Sequence, residues 1–398
     1  MGARASEPRT RPRLSGVTSG RSLPAVVLAA LLSACGTAAP RAASRSPAIA
    51  PTPSGAVRHT PSPCAVGPQT PPGGAIPAAF ATALAFAPDG RLFYTERSGT
   101  VRVWQDGSAR VFATVPTVTI ERGGGYSERG LLGLAISPTF TQDRYVYAFY
   151  SDTDYAHQHV VRWTDCAGAA SNATIIITLP SGSDCCHKGG RIAFGPDGKL
   201  YVTLGEEHDA PAAQEPSDVR GKVLRYNPDG SVPSDNPFGS GSPVWAYGLR
   251  NPFGIAFSES GQLAVTNNGP SGDAGSPGSG YDTLILSVTR GARYQWPNCY
   301  GYSHPLASSC GAGAIPPDWS SETTTFVPTG ATFVDAGGPS AYAGHLVFCT
   351  LDRGMLIATA GSPHATVTAG PSTCTLDVVE GPDHALYVSD IQHIYRVT

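Results

Sequence analysis

The chain has 398 residues, a net charge of -3 and only 14% charged residues, so it carries no basic excess of the kind that grips nucleic acid. Its 47 glycines and 36 prolines exceed a fifth of the sequence, which signals either disorder or many tight turns. Regular runs of Val, Ile, Leu, Tyr and Phe between those breakers select turns, and with them an all-β fold.

The first element is an address. Arg4, Arg9, Arg11, Arg13 and Arg21 precede an apolar run from Leu23 to Leu32, too short to span a bilayer and followed by Ser33-Ala34-Cys35. This pattern predicts a signal peptide over residues 1–34, with Cys35 as the lipidated first residue of an exported, membrane-anchored bacterial lipoprotein. Residues 36–63 have almost no large apolar side chains and several prolines, which predicts a disordered tether ahead of a domain over 64–398. Eight further cysteines remain (64, 166, 185, 186, 299, 310, 349 and 374), an even number that in an exported chain predicts disulfides rather than a metal cluster. Cys299 with Cys310 would close a short loop, and Cys349 with Cys374 would tie neighbouring strands. Cys185 and Cys186 are adjacent.

Six related segments follow: 84–96, 134–151, 192–206, 255–268, 331–350 and 377–390. Each reads as a short apolar strand, a turn rich in Pro, Asp or Gly, and a second strand, which is a β-hairpin. The clearest copies share F-x-P-D-G-x-L-Y-V. Equivalent positions Phe86, Ile136, Phe194, Phe257, Phe333 and Val379 recur every 46 to 76 residues, the spacing of propeller blades with inserted loops. The count predicts a six-bladed β-propeller; a seventh blade would have to hide in the gap from 257 to 333.

Propellers place chemistry on the loops at one end of the channel, and four joining segments carry candidate groups. A glycine-rich run, 123–133, holds Glu128 and Arg129. Cys185-Cys186-His187-Lys188-Gly189-Gly190-Arg191 puts a histidine just before a strand, where it can act as a general base or remain merely solvated. Tyr247 to Gly254 contains Arg250 and Asn251, the arginine offering a planar fork for an oxyanion or forming an inter-blade salt bridge. Asn267 to Asp273, continuing to Tyr281-Asp282, combines turn carbonyls with the carboxylates Asp273 and Asp282, an oxygen-rich set that suits calcium.

Taken in order, ERGLLGLAISPTF, HKGGRIAFGPDGKLYVTLGE, GKVLRYNPDGSVPSDNPF, YGLRNPFGIAF, NNGP and GARYQWP resemble the glucose/sorbosone dehydrogenase family, soluble six-bladed propellers that use pyrroloquinoline quinone (PQQ) and calcium. The resemblance implies oxidation of an aldose at C1 outside the cytoplasm, a hydride passing to the quinone. It makes His187 the base, places Glu128, Arg250 and Asn251 against cofactor and substrate, and assigns calcium to the carbonyls of Gly269 and Pro270. Arg250 would also stabilise charge developing on the quinone. Glu206 stands where the family has aspartate.

The departures lie near the C-terminus. A family lysine falls in Leu351-Asp352-Arg353-Gly354, where Arg353 is the available cation, and the family's Arg-x-Arg-Asp-Val reads Cys374-Thr375-Leu376-Asp377-Val378. PQQ is a tricarboxylate, and each lost charge-assisted contact weakens binding by about 1.5–3 kcal/mol. Those losses favour an alternative function: a cofactor-less propeller on a lipid anchor that binds carbohydrate or protein. A metal-dependent, lactonase-like hydrolase would need three or four inward Glu, Asn or Asp ligands, and the sequence assigns no such set.

Overall fold

The computed structural model describes residues 64–182 and 184–398; the expected signal peptide, Cys35 and tether lie outside them. The described chain folds into six four-stranded antiparallel sheets, each one blade. Blades one to five begin with the strands Ala81–Phe86, Leu131–Ile136, Ile192–Phe194, Asn251–Phe257 and Pro328–Phe333, and blade six with Asp377–Glu380. Each of these pairs with the strand that follows it, so every hairpin read from the sequence is the inner hairpin of a blade.

The hairpins share a physical cause. In blade one the amide of Gly90 closes a turn onto the Ala87 carbonyl (2.9 Å), and Gly90 takes a left-handed φ of 87° that glycine accepts freely. The turns ending at Gly198 and Gly261 repeat this bond at the same length. In blade six His384 occupies the left-handed position.

A blade buries both faces only by packing on two neighbours. One apolar cluster fills each interface, for example Phe93, Val101 and Phe112 of blade one against Leu134, Val146 and Trp163 of blade two. Five equivalent clusters complete the circle; of these, one joins Leu386 and Val388 of blade six to Val347 and Met355 of blade five, and another joins Tyr387 of blade six to Leu92 and Tyr94 of blade one. Central strands are therefore buried along their length, as in Leu92–Glu96 and Leu200–Leu204, without the alternation of a one-sided sheet. Burial of each large apolar side chain contributes about 1.5–3 kcal/mol.

Closure uses both ends of the described chain. The two-residue strand Ile76–Pro77 pairs with His393–Val397 and completes blade six. The interval from 257 to 333 contains no seventh blade. It holds the third and fourth strands of blade four (Thr283–Ile285 and Trp319–Ser320) and an inserted ribbon, Cys299–Tyr300 with His304–Pro305. Disulfides join Cys299 to Cys310 and Cys349 to Cys374, with Cys64 linked to Cys166 and Cys185 to its neighbour Cys186.

Candidate active site

The loops that lead into the first strands of blades two, three and four meet at one end of the ring. Glu128, ahead of blade two, ties them together. Its Oε2 accepts the backbone N–H of His187 (2.7 Å) and the side-chain N–H of Asn251 (3.1 Å), while its own N–H donates to the Cys185 carbonyl (2.9 Å). Asn251 in turn accepts the Gly189 N–H, and Asn267 Oδ1 accepts the backbone N–H groups of both Arg250 and Asn251 at 3.0 Å. These contacts set the loops by backbone hydrogen bonds from three blades.

His187 is only 4% exposed and holds a left-handed φ of 58°. Its Nδ1 meets the Glu206 carboxylate in a short contact, and its Nε2 lies 3.2 Å from Nε2 of His208. The carbonyl of His187 lies so near Gly205 that a Cβ there would stand 2.0 Å from it, so this approach requires glycine. Burial, aided by the nearby Arg250 charge, lowers the His187 pKa. Burial also pushes the Glu206 carboxyl up to about 7, and its Oε2 has no protein partner. Both shifts disfavour charge on the pair, and the Glu206 carboxyl gives up its proton only near neutrality.

Arg250 grips Asp273 with two bonds, Nε to Oδ2 at 2.8 Å and NH2 to Oδ1 at 3.0 Å, and lies 5.6 Å from the Trp296 ring. Burial alone would raise the Asp273 carboxyl, but Arg250 holds it down at about 2. Asp273 is thereby engaged, although its carboxylate lies within 4.8 Å of the ligand atoms of His187 and Glu206. Asp282 is buried and accepts the N–H groups of Gly269 (2.8 Å), Phe326 (2.8 Å) and Val327 (3.1 Å), bracing the loop that carries Gly269 and Pro270. The two carboxylates expected near an ion thus hold protein partners as well, and Asp282 lines the same cleft as Gly269 and Pro270. The Gly269 and Pro270 carbonyls accept no hydrogen bond among the described residues, and both line the cleft.

Two hollows adjoin here. A polar cleft of about 150 Å³ is lined by Glu128, His187, Arg250, Asn251, Gly269 and Pro270. Beside it the mouth of the axial channel opens to about 280 Å³ with an apolar wall that includes Phe80, Phe253, Leu351, Leu376 and Ile391. Glu128 and Asn268 face both. Arg353 lines neither; it is exposed, 5.7 Å from the Phe326 ring. Leu376 occupies the wall where the resemblance calls for an arginine, and the stretch that carries the family lysine contributes Leu351 to that wall rather than Arg353.

Three residues at the site escaped the sequence reading. His208 and Asp184 contact each other at 2.7 Å beside His187. Arg97 reaches the channel mouth, donates to the Arg129 and Thr119 carbonyls at 2.9 and 3.0 Å, and makes no ion pair among the described residues. The only sequence signal of His208 and Arg97 is position just beyond the second strands of blades three and one, and Asp184 lies in the loop ahead of blade three.

The glucose/sorbosone dehydrogenase profile matches residues 78–393. The chain belongs to that family. Quinoprotein glucose dehydrogenase B of Acinetobacter calcoaceticus is 31% identical over 255 residues, covering 55% of this chain and 50% of that protein. The aldose sugar dehydrogenase YliI of Escherichia coli K12 is 31% identical over 227 residues, covering 54% of this chain and 58% of its own. The matches therefore span little more than half of either relative. A structure described as a putative oxidoreductase (glucose dehydrogenase) from Thermus thermophilus superposes with a TM-score of 0.69 at 29% identity, covering 82% of this chain and 98% of that one.

Proposed function

We propose that this chain oxidises an aldose or related sugar at C1 outside the cytoplasm, with PQQ and calcium. The supporting observation is the convergence of Glu128, His187, Arg250 and Asn251 on one cleft edged by Gly269 and Pro270, whose carbonyls accept no hydrogen bond among the described residues. When bound, PQQ supplies an electrophilic quinone that accepts a hydride.

The donor set fits the quinone edge of that group. Arg250 and Asn251 would face its oxygens, the Gly269 and Pro270 carbonyls suit calcium, and Arg97 offers a cation without an acidic partner. The opposite wall has Leu376 in place of an arginine and lacks Arg353, so the fit is to a weakly held cofactor. His187 takes the proton of the C1 hydroxyl on Nε2, the hydroxyl replacing His208 at that atom. Glu206 fixes the ring through Nδ1 and balances the charge that the proton brings. The apolar mouth excludes water from the reacting atoms.

Titration of calcium-loaded protein with PQQ, followed by dye reduction with a panel of aldoses, tests the reading. Binding together with sugar-dependent dye reduction supports it; neither at saturating PQQ and calcium overturns it. The apolar wall favours one competing reading, a cofactor-free binding protein displayed on a lipid anchor at Cys35. Sugar binding without PQQ, and no reduction with it, would select that reading.

A further inference from the structure

His187 has no free ring nitrogen. Nδ1 faces Glu206 and Nε2 faces His208, whose own Nδ1 lies 2.7 Å from Asp184. The four side chains form a line from Glu206, fully buried, to Asp184, 52% exposed. Hydrogen counting restricts its state. Ionised carboxylates only accept, so each imidazole must present N–H at Nδ1. Two bare Nε2 atoms would then meet at 3.2 Å, acceptor against acceptor, unless one carries another proton. Three contacts thus hold three protons.

Two arrangements of those protons leave His187 neutral and Asp184 ionised. In one, His208 is an imidazolium that donates to Asp184 and to His187, and His187 donates to Glu206. In the other, Glu206 is protonated and donates to His187, His187 donates to His208, and His208 donates to Asp184. Moving each of two protons across its own hydrogen bond interconverts them. The upward shift of Glu206 to about 7 keeps the second arrangement accessible near neutrality. The groups that face the pair from other loops are Glu128, Arg250 and Asp273, with Lys188 near Asp184 and paired to Glu207.

The backbone is bent to keep the rings together. His187, Glu207 and His208 all have left-handed φ values, of 58°, 56° and 61°, a conformation that residues with a Cβ resist. The Cys185–Cys186 disulfide restrains the segment between Asp184 and His187.

We propose that His208 and Asp184 are the proton exit of the site. After His187 has taken a hydroxyl proton, the product gives its place at Nε2 back to His208 in its neutral form. The His187 Nε2–H bond then breaks as an Nε2–H bond forms on His208, and the imidazolium releases its Nδ1 proton to solvent by way of Asp184. This rests on the role given to His187 above. His208 acts through His187 and touches no reacting atom.

The test begins with protein carrying ¹⁵N-histidine and no cofactor, titrated by NMR. The expected result is that His187 and His208 nitrogens shift in common transitions, and that His208→Gln displaces those of His187. Independent titration, or a His187 response unchanged in His208→Gln, overturns the link. So does a transition-metal ion found stoichiometrically between the rings of the purified protein. In the loaded enzyme, His208→Gln should lower kcat by about a hundredfold with KM little changed, and added imidazole should restore part of it. An unaltered kcat at every pH overturns the exit role. If loaded wild type oxidises no sugar, the proposed function fails while the NMR result still decides the link.

Discussion

An ion pair crosses the axial channel, and removing one member should show how dry the channel is. Arg191, just ahead of blade three, reaches across the axis to Asp377 at the start of blade six, NH1 to Oδ1 at 2.9 Å. Its NH2 donates to the Leu376 carbonyl at 2.8 Å, and Asp377 Oδ2 accepts the Leu84 N–H of blade one at 2.8 Å. The two side chains are 6% and 9% exposed. Asp377→Ala leaves a buried guanidinium without its counter-charge, a loss of about 3–5 kcal/mol. It also orphans the Leu84 N–H, which adds about 1–3 kcal/mol. Replacing both partners, as Arg191→Met with Asp377→Leu, removes the charges together and leaves the Leu84 N–H without its acceptor, so it should fall within about 3 kcal/mol of wild type. Denaturant unfolding followed by tryptophan fluorescence measures both. An Asp377→Ala protein within about 1 kcal/mol of wild type, or a double variant no more stable than the single one, would refute a water-excluded pair.

Four further outcomes are expected. Gly330→Ala should destabilise the same junction, because its Cβ would stand 1.7 Å from Asp377 Oδ1; a shifted unfolding midpoint reports it. Arg250→Ala should abolish measurable PQQ binding in calorimetry and release Asp273, whose carboxyl then titrates above its present value of about 2. Leu376→Arg puts a cation on the apolar wall and should tighten PQQ by roughly tenfold or more, one charge-assisted contact; unchanged affinity would place the cofactor elsewhere. A base must be deprotonated to act, so kcat/KM should rise with pH and level off above about 7, where the Glu206–His187 pair has lost its proton. Glu206→Gln removes the carboxylate, which should move that limb to lower pH and reduce kcat.

The sequence by itself determined the blade number and the inner hairpins. An apolar strand, a Pro-Asp-Gly turn and a second strand are local signals, and burial on both faces makes those strands apolar throughout. It also singled out Glu128, His187, Arg250, Asn251, Gly269 and Pro270, which the fold brings to one cleft. Closure through Ile76–Pro77 was not legible, because a two-residue strand has no period to read and finds its partner at the far end of the chain. Only the tertiary structure decided which charges are spent on one another. Asp273 belongs to Arg250 and Asp282 to three backbone amides, while Arg353 lies outside the cleft. His208, Asp184 and Arg97 likewise acquire meaning only from neighbours that ring closure brings beside them. Strand patterns are written in adjacent residues, whereas a proton path or a counter-charge depends on which blades end up side by side.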